Sequence, residues 1–182
     1  MDVLNQGAKI DTFGVGEKLI TSKADPVFGG VYKLVAVEKN GEIVPKIKKS
    51  ENIIKITNPG YKKVYRIYEE GKMIADLIAL HDEVYDGKEP LTIFDEQQTW
   101  KKRTFTDYVI EEQHVVIFKD GKQVYELPST EEVKEYCNKQ YSLLWDEVTR
   151  FTNPHKYYVD LSEKLCGEFR HRVYFVASRF GG

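Results

Sequence analysis

The stretch Val64-Tyr65-Arg66-Ile67-Tyr68-Glu69-Glu70-Gly71-Lys72-Met73-Ile74-Ala75-Asp76-Leu77-Ile78-Ala79-Leu80 decides the fold class. Two runs rich in aliphatic, aromatic and β-branched residues flank Glu70-Gly71, and such residues suit a half-buried pleated surface. This predicts a hairpin of residues 64–68 and 72–80. The same grammar recurs on both sides. Asn40-Gly41 separates residues 31–38 from 42–48, and Asn-Gly supplies the positive φ angles of a two-residue hairpin turn. Asp120-Gly121 separates 115–119 from 122–126. Leu91-Thr92-Ile93-Phe94 reads as a short strand between polar connections at 85–90 and 95–99. Residues 39–128 therefore predict a β-rich domain built from antiparallel hairpins.

Downstream, Pro128-Ser129-Thr130-Glu131-Glu132 is a helix start signal. The Ser129 side chain can accept from the amide of Glu132, while the Glu132 carboxylate reaches back to the amide of Ser129. Val133, Tyr136, Cys137, Gln140, Tyr141, Leu144, Trp145 and Val148 then recur at helical spacing. The pattern predicts one helix from Ser129 to about Arg150, its apolar stripe packed on the core and its end set by Thr152-Asn153-Pro154. Upstream, residues 8–13 read as a strand that runs into Gly14-Val15-Gly16, with a second strand over 31–37. Between them, Asp25-Pro26 and Gly29-Gly30 mark a loop. The class is α+β, in three stretches, 1–38, 39–128 and 129–182.

Composition narrows the function classes. The chain has 182 residues, with 27 Lys+Arg against 29 Asp+Glu and a formal net charge of -2. That balance gives no global electrostatic reason to bind nucleic acid or an anionic membrane. No apolar run reaches the roughly 18 residues of a membrane-spanning helix, and the first residues, with no basic or long apolar stretch, are not expected to be a signal peptide. The two cysteines, Cys137 and Cys166, lack zinc-ligand spacing and fit a reduced, cytoplasmic compartment.

Few side chains form a chemical pattern. Gly14-Val15-Gly16-Glu17 offers backbone amides with no side chain in the way, and such a turn can hold a phosphate, most of all at a helix start. The plain alternative is a tight turn. Lys18 and Lys23 add positive charge that Glu17 opposes. The histidines, His81, His114, His155 and His171, form no metal-binding motif. His81 reads as a solvated strand end and His155 as a turn residue. Cys137 reads as a core residue. Lys46 and Lys48 read as one solvent face of a strand, and Lys101-Lys102-Arg103 as a surface loop after Trp100.

Beyond these features there is a resemblance. Residues 7–23, Gly-Ala-Lys-Ile-Asp-Thr-Phe-Gly-Val-Gly-Glu-Lys-Leu-Ile-Thr-Ser-Lys, resemble the C-terminal portion of bacterial nicotinate phosphoribosyltransferases. So do Phe28-Gly29-Gly30-Val31-Tyr32-Lys33, Pro45-Lys46-Ile47-Lys48 and Ser50-Glu51-Asn52. The resemblance continues through residues 55–66, Ile74-Ala75-Asp76-Leu77 and Asn153-Pro154-His155-Lys156-Tyr157-Tyr158-Val159-Asp160-Leu161-Ser162, and covers about residues 3–165.

The resemblance implies an irregular α/β barrel with a flanking β-rich domain, of which residues 1–38 would be the last barrel piece. It implies an enzyme, when complete, that joins nicotinate to phosphoribosyl pyrophosphate in NAD biosynthesis. ATP hydrolysis, with magnesium, would be coupled through a phosphorylated histidine, and the complete enzyme would be a homodimer. Gly14, Val15, Gly16 and Glu17 would hold the ribose 5′-phosphate. Two departures stand out. Relatives often carry Thr where this chain has Glu17, and residues from Cys166 onward differ from the usual family C-terminus. The family's phosphorylated histidine corresponds to none of the four here. The resemblance thus implies a C-terminal fragment with no catalytic residue and no metal ligand of its own. The rival expectation is a stand-alone, non-catalytic interaction or assembly module derived from that family.

Overall fold

A computed structural model describes residues 2–23, 26–27, 32–48, 57–96, 98 and 100–167. The matches at 28–31, 49–52 and 55–56, His171 and the divergent end 168–182 lie outside the described residues. The chain divides into two compact units, Met1–Lys33 and Leu34–Gly182.

The first unit holds two single-turn helices, α1 (Asp2–Asn5) and α2 (Glu17–Ile20). Residues 8–13, expected as a strand, are irregular. A strand needs a neighbour to complete its ladder, and none exists among the described residues of this unit.

The second unit begins with a hairpin, β1 (Ala36–Lys39) and β2 (Glu42–Pro45). Its turn residues Asn40 and Gly41 have φ of 52° and 81°, as the sequence requires. Of the expected hairpin arms 31–38 and 42–48, strand forms among the described residues at Ala36–Lys39 and Glu42–Pro45. A six-stranded sheet follows, in the order β6-β5-β10-β4-β3-β7. Its members are β3 (Lys62–Glu69), β4 (Lys72–Leu80), β5 (Leu91–Phe94), β6 (Lys102–Phe105), β7 (Val109–Glu112) and β10 (Tyr158–Leu161). The Glu70-Gly71 turn joins β3 to β4, at φ of 49° and 74°. The third expected hairpin forms only two short strands, β8 (Phe118–Lys119) and β9 (Lys122–Gln123).

Several features of the second unit depart from the sequence reading. Lys102 and Arg103 belong to strand β6, not to a loop, because Phe94 and Ile93 of β5 supply their pairing partners. Strand β10, which no hairpin signal announced, lies inside the sheet, parallel to β4 and antiparallel to β5. The C-terminal helix is shorter than expected. α3 spans Thr130–Ser142, and a separate turn, α4, spans Asp146–Thr149.

The start of the helix follows the sequence, with both halves of the capping box formed. Its end is set by tertiary contact. The Met73 amide donates to the carbonyl of Leu143 at 2.8 Å, and Lys72 Nζ donates to the carbonyls of Ser142 at 2.8 Å and Leu144 at 3.2 Å. Carbonyls of a last helical turn lack intrahelical donors, so the first residues of β4 supply them and hold the chain extended at Trp145. The apolar stripe also departs from expectation. Val133, Tyr136, Cys137 and Tyr141 are all exposed, and α3 buries no residue, because it docks through its last turn rather than along its face.

The sheet is strongly coiled. Its outer strands β6 and β7 are joined by residues 106–108 alone. Laid flat, they would stand about 24 Å apart, at about 4.8 Å per strand. A link of that length reaches at most about 15 Å, at 3.8 Å per Cα step. Arg103 of β6 accordingly reaches across to Glu69 of β3, at 2.6 Å. Inside the curl lies the core of Tyr65, Ile67, Ala75, Leu77, Ile93 and Phe105. A second cluster, Leu80, Leu161, Leu165 and Cys166, fastens β10 and the helical stretch 163–167.

Candidate functional site

The Gly14-Val15-Gly16-Glu17 segment leads directly into α2. Gly16 is the N-cap, in extended backbone with φ of -87°, and no side chain caps the helix. The amides of Glu17 and Lys18 open α2, where helix geometry offers no acceptor within the helix. The Leu19 amide turns back to the carbonyl of Gly16 at 3.0 Å, and the Thr21 hydroxyl donates to the carbonyl of Glu17 at 2.9 Å. All of residues 14–18 are exposed.

Neither glycine is demanded by its own surroundings. Neither Gly14 nor Gly16 has positive φ, and a Cβ on either would meet nothing within 4 Å. Neither glycine is therefore held in a strained turn. The Glu17 carboxylate shares this exposed segment with Lys18, with Lys23 further along, so local charge is mixed.

Sequence reasoning missed two polar clusters in the second unit. In the first, Arg66 Nε and Nη2 donate to the two Asp76 carboxylate oxygens at 2.8 and 2.9 Å. Gln140 of α3 accepts from Arg66 Nη1 at 3.1 Å, and the Tyr157 hydroxyl donates to Asp76 at 3.0 Å. The hydrogen bond to Asp76 raises the Arg66 guanidinium above its ordinary value, and burial raises the Tyr157 hydroxyl. One ion pair thus fixes α3 and the approach to β10 against the central hairpin.

The second cluster centres on Glu83. Its carboxylate accepts from the Leu80 amide at 2.7 Å, the Ser162 hydroxyl at 2.7 Å and the Tyr85 hydroxyl at 2.8 Å. Its carbonyl accepts from the Tyr65 hydroxyl at 2.9 Å. Fully buried Ser162 in turn accepts from the Leu165 amide at 3.1 Å, capping the helical stretch 163–167. Burial, then Glu83, pushes the Tyr85 hydroxyl up. A polar residue after a predicted strand was the one available signal, and it pointed to solvent rather than to this junction.

The other singled-out residues are structural. His81 stacks on Tyr61 with ring centroids 4.9 Å apart, and the His155 amide donates to the carbonyl of Glu147 at 2.8 Å. Among the described residues, no three His, Cys, Asp or Glu side chains are grouped to hold a metal ion, and no helix is long and apolar enough to cross a membrane.

Known proteins share both sequence and fold with this chain. The family described as the nicotinate phosphoribosyltransferase C-terminal domain matches residues 61–167, which run from the start of β3 to the helical stretch after β10. Nicotinate phosphoribosyltransferase of Bacillus subtilis (strain 168) is 40% identical over 181 residues, covering 98% of this chain and 37% of that protein. The Caenorhabditis elegans protein of the same name is 36% identical over 184 residues, covering 100% of this chain and 32% of its own. The crystal structure of human nicotinic acid phosphoribosyltransferase superposes with a TM-score of 0.66 at 27% identity, over 80% of this chain and 27% of that one. This chain therefore spans about a third of the length of these relatives. With the coiled sheet inside the matched region and the flanking segments aligned as well, the chain belongs to the nicotinate phosphoribosyltransferase family, as its C-terminal segment.

Proposed function

We propose that this chain serves as the C-terminal part of an enzyme that forms nicotinate mononucleotide and pyrophosphate from nicotinate and phosphoribosyl pyrophosphate. The enzyme would be cytoplasmic and homodimeric, and coupled to ATP hydrolysis with magnesium. The ring nitrogen of nicotinate attacks C1 of the sugar as pyrophosphate leaves. Such a transfer depends on fixed orientation and on stabilisation of positive charge at C1. This chain's share is orientation. The amides of Gly14, Val15, Gly16 and Glu17 receive the ribose 5′-phosphate, and the coiled sheet forms the flanking domain. None of its described residues is assigned to ATP or magnesium.

The observation that carries the phosphate assignment is the pair of glycines that no φ angle and no contact among the described residues requires. Bare backbone beside a helix start lets phosphate oxygens approach amides closely. The test combines this chain with the remainder of the Bacillus subtilis relative and measures nicotinate mononucleotide formation. Product should form only with both parts present. Gly16→Val should raise the KM for phosphoribosyl pyrophosphate, and Glu17→Thr should lower it by removing a repelling carboxylate. Turnover by this chain alone, or a Gly16→Val protein with unchanged KM, would overturn the reading.

A further inference from the structure

We propose that the β8–β9 hairpin is an arm that inserts, covered on both faces, into an apolar slot of the part of a nicotinate phosphoribosyltransferase that this chain does not match. The inference rests on the reading of this chain as the C-terminal part of such an enzyme.

The apolar pattern comes first. Val115-Val116-Ile117-Phe118 is a continuous apolar run. Runs of that kind belong to strands covered on both faces, whereas a strand with one wet face alternates. Yet every residue from His114 to Val124 is exposed, Val116 at 63% and Phe118 at 66%. The pairing places this apolar surface on both sides. Phe118 pairs with Gln123, and the Val124 amide donates to the carbonyl of Ile117 at 2.8 Å. Successive side chains of a strand alternate, so Val116 and Phe118 share one face while Ile117 and Val124 share the other. A single layer laid on the hairpin would leave half of these side chains in water.

The hairpin also stands apart. Among the described residues, β8 and β9 form a two-stranded sheet joined to no other strand. A two-stranded hairpin by itself is marginally stable in water, so its cover comes from elsewhere. Charge gives the cover its chemistry. Residues 115–118 carry none, and the charged groups Lys119, Asp120 and Lys122 are gathered at the turn. The slot is therefore apolar along its length and open to water where the turn emerges. About two thirds of the length of each relative lies outside the match to this chain, which leaves ample protein to form it. A second copy of this chain is a poorer host, because its sheet buries its own apolar face inside the curl.

The experiment joins the whole chain behind the upstream part of the Bacillus subtilis relative, in place of the segment it matches, and compares this chimera with the chain alone. Val116→Cys and Val124→Cys, one on each face, are introduced singly with Cys137→Ser, and thiol labelling is followed by mass spectrometry of the labelled peptide. Both thiols should label rapidly in the chain alone and at least about tenfold more slowly in the chimera. Lys119→Cys at the turn should label rapidly in both. Phe118→Ser/Val124→Ser should leave the urea midpoint of the chain alone unchanged and lower that of the chimera. The proposal falls if either thiol labels as fast in the chimera as in the chain alone, or if the double variant leaves the chimera's midpoint unchanged. It also falls if the chain alone sediments as a dimer that the double variant turns into monomer. A folded chimera that forms no nicotinate mononucleotide counts against the enzyme reading, with the thiol rates still deciding the arm. Fast labelling in an active chimera counts against the arm alone.

Discussion

Arg66 and Asp76 face each other across β3 and β4 because the hairpin slips by one residue between them. From the turn, Glu69 pairs with Lys72 and Tyr68 with Met73. Strict pairing would continue to Ile67 with Ile74, and would set Arg66 against Ala75. The register instead shifts between Ile67 and Tyr68, leaving Ile74 as the extra residue and pairing Arg66 with Asp76. The result is a two-pronged ion pair whose side chains keep only 20% and 14% of their exposure. A largely buried pair contributes little over apolar replacements but is costly to break on one side. Asp76→Ala should therefore lose about 3–5 kcal/mol of stability, measured by urea unfolding. The double variant Arg66→Met/Asp76→Leu should recover most of it. Equal losses in both would show that the site needs charge rather than only balance.

Gly60 should tolerate no side chain. Its φ is +100°, and an added Cβ would stand 2.8 Å from Leu80 Cδ2. Backbone strain and overlap both act, so Gly60→Ala is expected to cost more than about 1 kcal/mol. Pairing it with Leu80→Ala separates the two causes. Removing the overlap while adding a cavity makes the second substitution cheaper in the Gly60→Ala background than alone, which a double-mutant cycle reads directly.

The helix cap makes stability depend on acid. The backbone amide of Ser129, then its hydroxyl, bonds the Glu132 carboxylate and lowers its pKa below 4.5. A depressed carboxyl contributes stability above its unfolded value and loses it as pH falls through the folded one. The stability difference between the native chain and Glu132→Gln should be present at neutral pH and fade below about pH 4.5. Ser129→Ala should cost about 1 kcal/mol, and unchanged urea midpoints at neutral pH would refute the cap.

Lys72 should control where α3 stops. Its ammonium bridges the carbonyls of Ser142 and Leu144. Lys72→Met keeps the stem and removes the donors, so amides near Leu143 and Leu144 should exchange faster while those of β3 stay protected. Uniform exchange across the sheet would show that Lys72 holds the fold rather than the helix end.

The sequence by itself determined the local elements. Glu70-Gly71, Asn40-Gly41 and Asp120-Gly121 set three hairpins because turn geometry depends on the two residues that adopt it. Ser129 and Glu132 set a helix start for the same reason, since a capping box spans four neighbouring residues. The Gly14-Val15-Gly16 segment was legible as bare backbone, although the helix turn that follows it was not, and the family was legible in matches distributed along the chain. What only the tertiary structure decided depends on partners far apart in sequence. Strand β10 takes its place from β4 and β5 on either side, because Tyr158 and Val159 suit a strand but no neighbouring turn signal marked one. The end of α3 is set by Lys72 and Met73, some seventy residues upstream. The Arg66–Asp76 pair follows from a slip at Ile74, and the Glu83 junction joins Leu80 to Ser162. A turn or cap is stabilised within a few residues, where sequence is enough. A buried polar pair is stabilised by whichever group the folded chain brings to it, and that is settled only when the sheet closes.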